Sequence, residues 1–210
     1  MRGIIPASMA GFVVGLGVGM WLGLSCLSLS PESAYDGHGE AVYQGRPTSL
    51  WLRQREDRDP IYRQEAVQAL EKLAVLDERA VLALAETLQD RDDLIRVSTA
   101  IALRHVGLQA RLAIPALLAA LYDRNPYVRS NAAAALGQFA PENLTVMQAL
   151  GGALNDPSPL VRQMAIQALG ENPSAADTWI STLREALADR DENVRRTARE
   201  VLSRIASKKE

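Results

Sequence analysis

Two stretches decide how this chain reads: DRNPYVRSNAAAALG at residues 123–137 and DPSPLVRQMAIQALG at residues 156–170. Both spell Asp…Pro-x-Val-Arg-x-x-Ala-x-x-Ala-Leu-Gly, and they lie 33 residues apart. Self-similarity at a fixed period is the mark of stacked repeats, and the same spacing extends outward from this pair. Arginines stand at Arg63, Arg96, Arg129, Arg162 and Arg195, each 33 residues from the next. Six positions before each is an aspartate: Asp57, Asp90, Asp123, Asp156 and Asp189. Seven positions after each is a leucine: Leu70, Leu103, Leu136, Leu169 and Leu202.

Local punctuation turns this ladder into helices. Four residues before each arginine are Asp59, Asp92, Asn125, Ser158 and Asp191, all side chains able to accept a free N–H of a first helical turn. Next come Pro60, Asp93, Pro126, Pro159 and Glu192. Proline costs nothing at the first helical position, and an acid suits the positive end of the helix dipole. Beyond the start, Tyr62, Ile95, Val128, Val161 and Val194 join Ala66, Thr99, Ala132, Ala165, Ala198 and the leucines in a narrow apolar stripe. A preceding helix in each unit is anchored by Trp51, Leu84, Leu117, Leu150 and Leu183. No helix pair of this kind buries both of its faces alone, so the units must stack. The reading is an all-α superhelix, an α-solenoid of five two-helix repeats at about 47–75, 76–108, 109–141, 142–174 and 175–208.

Composition agrees. Apolar residues make up 48% of the chain but aromatics only 5%, which favours helices packed through alanine and leucine over a β-sandwich. A formal net charge of −2 gives no global basic field for nucleic acid. A single cysteine, Cys26, excludes an intramolecular disulfide or a thiolate zinc cluster, and two histidines, His38 and His105, argue against a histidine metal site.

Ahead of the repeats, residues 9–29 read MAGFVVGLGVGMWLGLSCLSL, 21 residues without a charge. As a helix this run covers about 32 Å, close to a bilayer's hydrocarbon core of roughly 30 Å. Arg2 precedes it, and no basic residue follows until Arg46, so residues 1–8 are expected in the cytoplasm and the repeats outside. The run is longer than the core of a typical cleaved signal, which favours a retained transmembrane anchor. Gly23-Leu-Ser-Cys26 resembles a bacterial lipobox, with Gly23 where leucine is usual, so a lipoprotein acylated at Cys26 is the alternative. Residues 30–46 carry glycines, Pro31 and no sustained period, and read as a linker.

The order from Asp123 to Gly137 and from Asp156 to Gly170 resembles the HEAT repeat, including membrane-anchored bacterial members. The lead-in from Tyr43 to Leu52 also resembles that of the anchored members and is expected to cap the first repeat. The resemblance implies that the aspartate and arginine rows link adjacent repeats and that second helices line the concave face. Arg195, Arg196, Arg199 and Arg204 give the last helix the charged outer face a terminal repeat needs.

No GxxxxGK[ST], GxSxG, HExxH or CxxC occurs, and the His-Glu pairs of HEAT-like metal hydroxylases are missing from the chain. Neither catalysis nor a cofactor is expected. The expected function is an extracytoplasmic scaffold at a bacterial cytoplasmic membrane, binding protein partners. The alternative is an accessory subunit or bilin-lyase-like enzyme holding a small ligand in its groove. The candidate binding surface is the weakly charged set Ser130, Asn131, Gln138, Gln163, Met164 and Gln167 on the second helices of repeats three and four.

Gly11, Gly15, Gly19 and Gly23 recur every four residues, a stripe that lets two membrane helices approach closely, although glycine is also simply common in such segments. Replacing Gly15 and Gly19 by Ile separates the two readings. Close packing predicts loss of self-association in a membrane, measured by energy transfer between labelled chains; ordinary composition predicts no change.

Overall fold

The structure is a computed structural model in which residues 35–171 and 176–207 are described, with side chains for all of these but 176–178. The apolar run, its glycine stripe and Cys26 lie outside the described residues. What is described is a stack of helix pairs: α1 (Thr48–Gln54) with α2 (Pro60–Leu73), α3 (Glu78–Thr87) with α4 (Asp93–Val106), α5 (Ile114–Ala120) with α6 (Pro126–Gly137), α7 (Leu144–Ala153) with α8 (Pro159–Gly170), and α9 (Ala176–Glu185) with α10 (Glu192–Ser207). Each second helix begins at the residue the punctuation marks. Asp59, Asp92, Asn125 and Asp191 accept from the N–H two residues on, as caps do. Ser158 departs from the expectation and makes no side-chain cap, leaving Pro159 to start α8.

The anchors Trp51, Leu84, Leu117, Leu150 and Leu183 are all buried, as are Ala66, Thr99, Ala132, Ala165 and Ala198. Tyr62 departs from its row: it is half exposed, because no earlier repeat lies against it. Consecutive second helices pack along their length, whereas consecutive first helices touch at few points. A stack that closes on one side and splays on the other curves, so the second helices line the inner face. At Gly137 the backbones approach so closely that an added Cβ would sit 2.8 Å from the Cβ of Ala168.

The segment before α1 is not a linker throughout. Val42–Tyr43 and Arg46–Pro47 pair as a two-stranded antiparallel hairpin, β1 and β2. Its turn is Gln44-Gly45, with φ of 52° and 71°, the double positive φ of a tight hairpin turn. Tyr43 carbonyl accepts from the Trp51 indole N–H at 3.3 Å, and the Arg46 guanidinium stacks 4.0 Å over the Trp51 ring. Ala41 and Val42 are buried beneath it. The hairpin therefore covers the open end of the first repeat.

The arginine and aspartate rows join one repeat to the next, 27 residues on. Arg63 Nε donates to Asp90 Oδ2 at 2.7 Å, and Arg96, Arg129 and Arg162 do the same to Asp123, Asp156 and Asp189 at 2.7, 2.8 and 2.8 Å. In each rung Nη2 donates to the other carboxylate oxygen, a bidentate fork. Meanwhile Nη1 donates to the backbone carbonyl of the arginine's own repeat, at Asp57, Asp90, Asp123 or Asp156. Each aspartate also accepts the backbone N–H two residues on, which closes its turn. These pairs are largely buried: side-chain exposure is 5% and 9% for Arg63 and Asp90, and 7% and 12% for Arg96 and Asp123. Two members of the rows make no rung. Among the described residues, the Asp57 carboxylate, with no earlier repeat beside it, accepts only from Asp59 N–H, while Arg195 keeps its own-turn carbonyl bonds and has no carboxylate partner.

Burial alone would raise the Asp123 carboxyl, but the Arg96 fork and the Asn125 N–H outweigh it and hold the group below the ordinary 3.8. The Arg162 fork does the same for Asp189 against a smaller cost of burial. A carboxylate whose folded value is depressed stabilises the fold above its unfolded value, and that stability is lost as pH falls through the folded one. Asp123→Asn, which leaves the buried Arg96 guanidinium only the Asp93 carboxylate 2.8 Å from Nη2, should cost about 2 kcal/mol near neutral pH. Asp57→Asn should cost under about 1 kcal/mol, because its carboxylate is exposed and unpaired. Urea unfolding from pH 7 to pH 2.5 measures both, and the fall in stability below pH ~4 should be shallower in Asp123→Asn than in the wild type.

Candidate functional site

The inner face is built by the second helices, and its side chains follow the repeat. One row along it, at 33-residue spacing, is Lys72, His105, Gln138, Glu171 and Arg204. Between α4, α6 and α8 this face opens into a hollow of about 360 Å³ lined by Arg104, Ala134, Gln138, Met164, Gln167, Ala168 and Glu171. Gln167 and Glu171 also line an adjoining hollow of about 320 Å³, closed on the far side by Thr197, Glu200, Val201 and Arg204. The two make one trough running across α6, α8 and α10.

Of the expected surface residues, Gln138, Met164 and Gln167 come together in this trough, whereas Asn131 and Gln163 do not line it. Asn131 Nδ2 instead donates back to the Tyr127 carbonyl of its own helix at 2.8 Å. Ser130 does not face outward at all: it is 3% exposed, and its hydroxyl donates to the same carbonyl. Small hydroxyl side chains in an alanine-rich helix are easily folded inward this way.

Gln138 has a structural duty as well. Its Nε2 donates to the Arg104 carbonyl at 3.0 Å and closes the C-terminal end of α4. Its Oε1 lies against Gly107, which takes φ 70° and ψ −137°, backbone that only glycine adopts without strain. The bend at Gly107 begins a 3₁₀ segment, Gly107–Ala113, and turns the chain out of the trough.

The sequence reading treats this stretch as nearly uncharged, but the trough holds Arg104 and Glu171 on its rim. Among the described residues neither has an ion-pair partner, in contrast to the rung arginines. Their signal lay in the repeat: Arg104 is one residue past the leucine row and Glu171 two past it, at the end of helices whose faces were counted only to the leucine. His105 lies beside the trough with Nδ1 3.4 Å from a Glu71 carboxylate oxygen. Among the described residues no three His, Cys, Asp or Glu side chains gather as metal ligands would. Chemically, the trough offers amide, thioether and paired-sign charged contacts in an open groove. These contacts suit recognition of a chain and contain no nucleophile–base pair.

A family model described as HEAT repeats matches residues 48–137 and 147–210. Among solved structures, the phycocyanin lyase CpcE–CpcF complex from Nostoc is similar with a TM-score of 0.61 at 24% identity, over 76% of this chain and 65% of that one. A designed armadillo repeat protein in complex with the peptide (KR)4 gives a TM-score of 0.55 at 18% identity, over 75% of this chain and 81% of that one. Human deoxyhypusine hydroxylase in complex with glycerol gives 0.52 at 32% identity, over 60% of this chain and 43% of that one. At such identities the first two share the fold alone, and this chain spans under half of the hydroxylase. No curated protein sequence matches it significantly.

Proposed function

Because this chain belongs to the HEAT-repeat family, we propose that it is a membrane-tethered, extracytoplasmic scaffold that holds an extended segment of a partner protein in the trough of its second helices. The observation that carries the reading is the trough itself, with Arg104 and Glu171, unpaired among the described residues, flanking the amide and thioether side chains of Gln138, Gln167 and Met164. An extended chain advances about 3.3 Å per residue, and packed helices lie about 8–10 Å apart, so each repeat spans about three partner residues. Glu171 favours a basic partner residue and Arg104 an acidic one, which sets direction as well as affinity. The tether is the uncharged run of residues 9–29, which reads as a membrane anchor with the repeats outside the cytoplasm.

A small ligand is the competing occupant, as in a lyase-like accessory subunit. It finds less support here, since an open trough leaves much of a compact ligand in water.

The test places a photo-crosslinking residue at Met164 of the full chain in intact cells. The expected result is one discrete protein adduct that falls at least fivefold when Arg104→Glu and Glu171→Arg are introduced together. An adduct unchanged by that pair would contradict the reading, as would a small molecule that copurifies one to one and blocks the crosslink.

A further inference from the structure

One edge of the solenoid is made by the connections that run from each second helix to the next first helix. It carries exposed apolar side chains: Val75, Leu108, Leu112 and Leu144, at 53%, 65%, 45% and 65% exposure. Two of these connections frame a hollow of about 600 Å³ with Leu108, Ile114, Phe139 and Pro141 in its walls. Clustered apolar exposure of this kind marks a surface that meets something other than water.

The N-terminal hairpin is fastened to the same edge. Glu40 Oε1 lies 3.0 Å from Arg79 Nη1, just past the connection from α2 to α3, and Tyr35 bridges to Ala41 just ahead of the hairpin. From Leu29, where the uncharged run stops, to Tyr35 is six residues, a reach of at most about 21 Å. The connection edge is therefore held close to wherever that run ends. The opposite, rung-bearing edge also exposes apolar residues, Ile61, Leu94 and Tyr127. The short tether favours the connection edge over it.

Charge adds a further constraint. Arg79 is paired with Asp77 and Glu40, and Arg111 with Glu142 at 3.1 Å, so these cations of the edge are already neutralised. Contact with lipid here would be driven by apolar insertion, with little dependence on salt.

We propose that this edge rests in the headgroup layer of the lipid surface that receives residues 9–29, with Leu108, Leu112 and Leu144 as the inserting side chains. The proposal depends on the membrane-tether reading above. The solenoid then stands on its connection edge, its trough opens along the membrane plane, and its rung edge faces away. A partner segment emerging from the same membrane would meet the trough at once.

The wild-type full chain, reconstituted into phosphatidylcholine vesicles, tests this by hydroxyl-radical footprinting. Leu94, at 73% exposure on the far edge, is the internal reference for Leu108 and Leu144 at 65% each. The expected result is that the chain floats with the vesicles and that Leu108 and Leu144 are modified at least fivefold more slowly than Leu94, in low salt and in 1 M salt alike. Flotation with all three leucines modified at equal rates would overturn the docking and leave the tether standing. Failure to float would overturn both.

Discussion

The buried arginine fork between repeats is the contact on which the rest of the molecule depends. A single guanidinium ties its own repeat's turn carbonyl to the carboxylate of the next repeat, and that carboxylate closes the next turn. Lysine could not do this, because only the planar fork meets two carboxylate oxygens and a carbonyl at once. Taking both charges out of water cancels much of their attraction, so the rung's contribution is better understood as register than as net stability. A slip between neighbouring repeats would leave a guanidinium and an aspartate buried apart, at a cost of several kcal/mol.

Register has consequences along the stack. With each turn locked to the next, second helices are held close enough for Gly137 to meet Ala168, while first helices are free to splay. The curvature that follows makes the inner trough. The ends show the same logic in reverse. The hairpin, with Arg46 stacked on Trp51, covers the first repeat. The last helix places Arg199 where the four earlier repeats bury Val67, Ala100, Ala133 and Ile166. Both devices oppose end-to-end stacking of further copies.

Much of this was legible from residues alone. Helix starts were fixed by Pro60, Pro126 and Pro159, with Asp59 and Asn125 capping the first two, since those constraints are local. Burial of the anchor leucines followed from period and hydrophobicity. What escaped the sequence depended on neighbours in space. The rung pairs proved buried because each turn is roofed by the next repeat. The lead-in from Tyr43 is legible as a cap for the first repeat, but its hairpin form is not, because Gln44, an unusual residue at positive φ, hides the turn. In the candidate trough, Ser130 turned inward and Asn131 bonded its own helix, choices that depend on local space and not on residue type. Arg104 and Glu171 were overlooked because each ends its own helix, and only curvature brings them to one hollow.

The central claim is that the rungs couple repeats into one cooperative unit. It is tested most directly by native-state hydrogen exchange of the full chain carrying Arg129→Leu. If rungs set coupling, amides of α2, α4 and α6 should exchange through openings separate from those of α8 and α10, with opening free energies at least about 2 kcal/mol apart. A uniform loss of protection across all five second helices, with a single shared opening energy, would contradict the account.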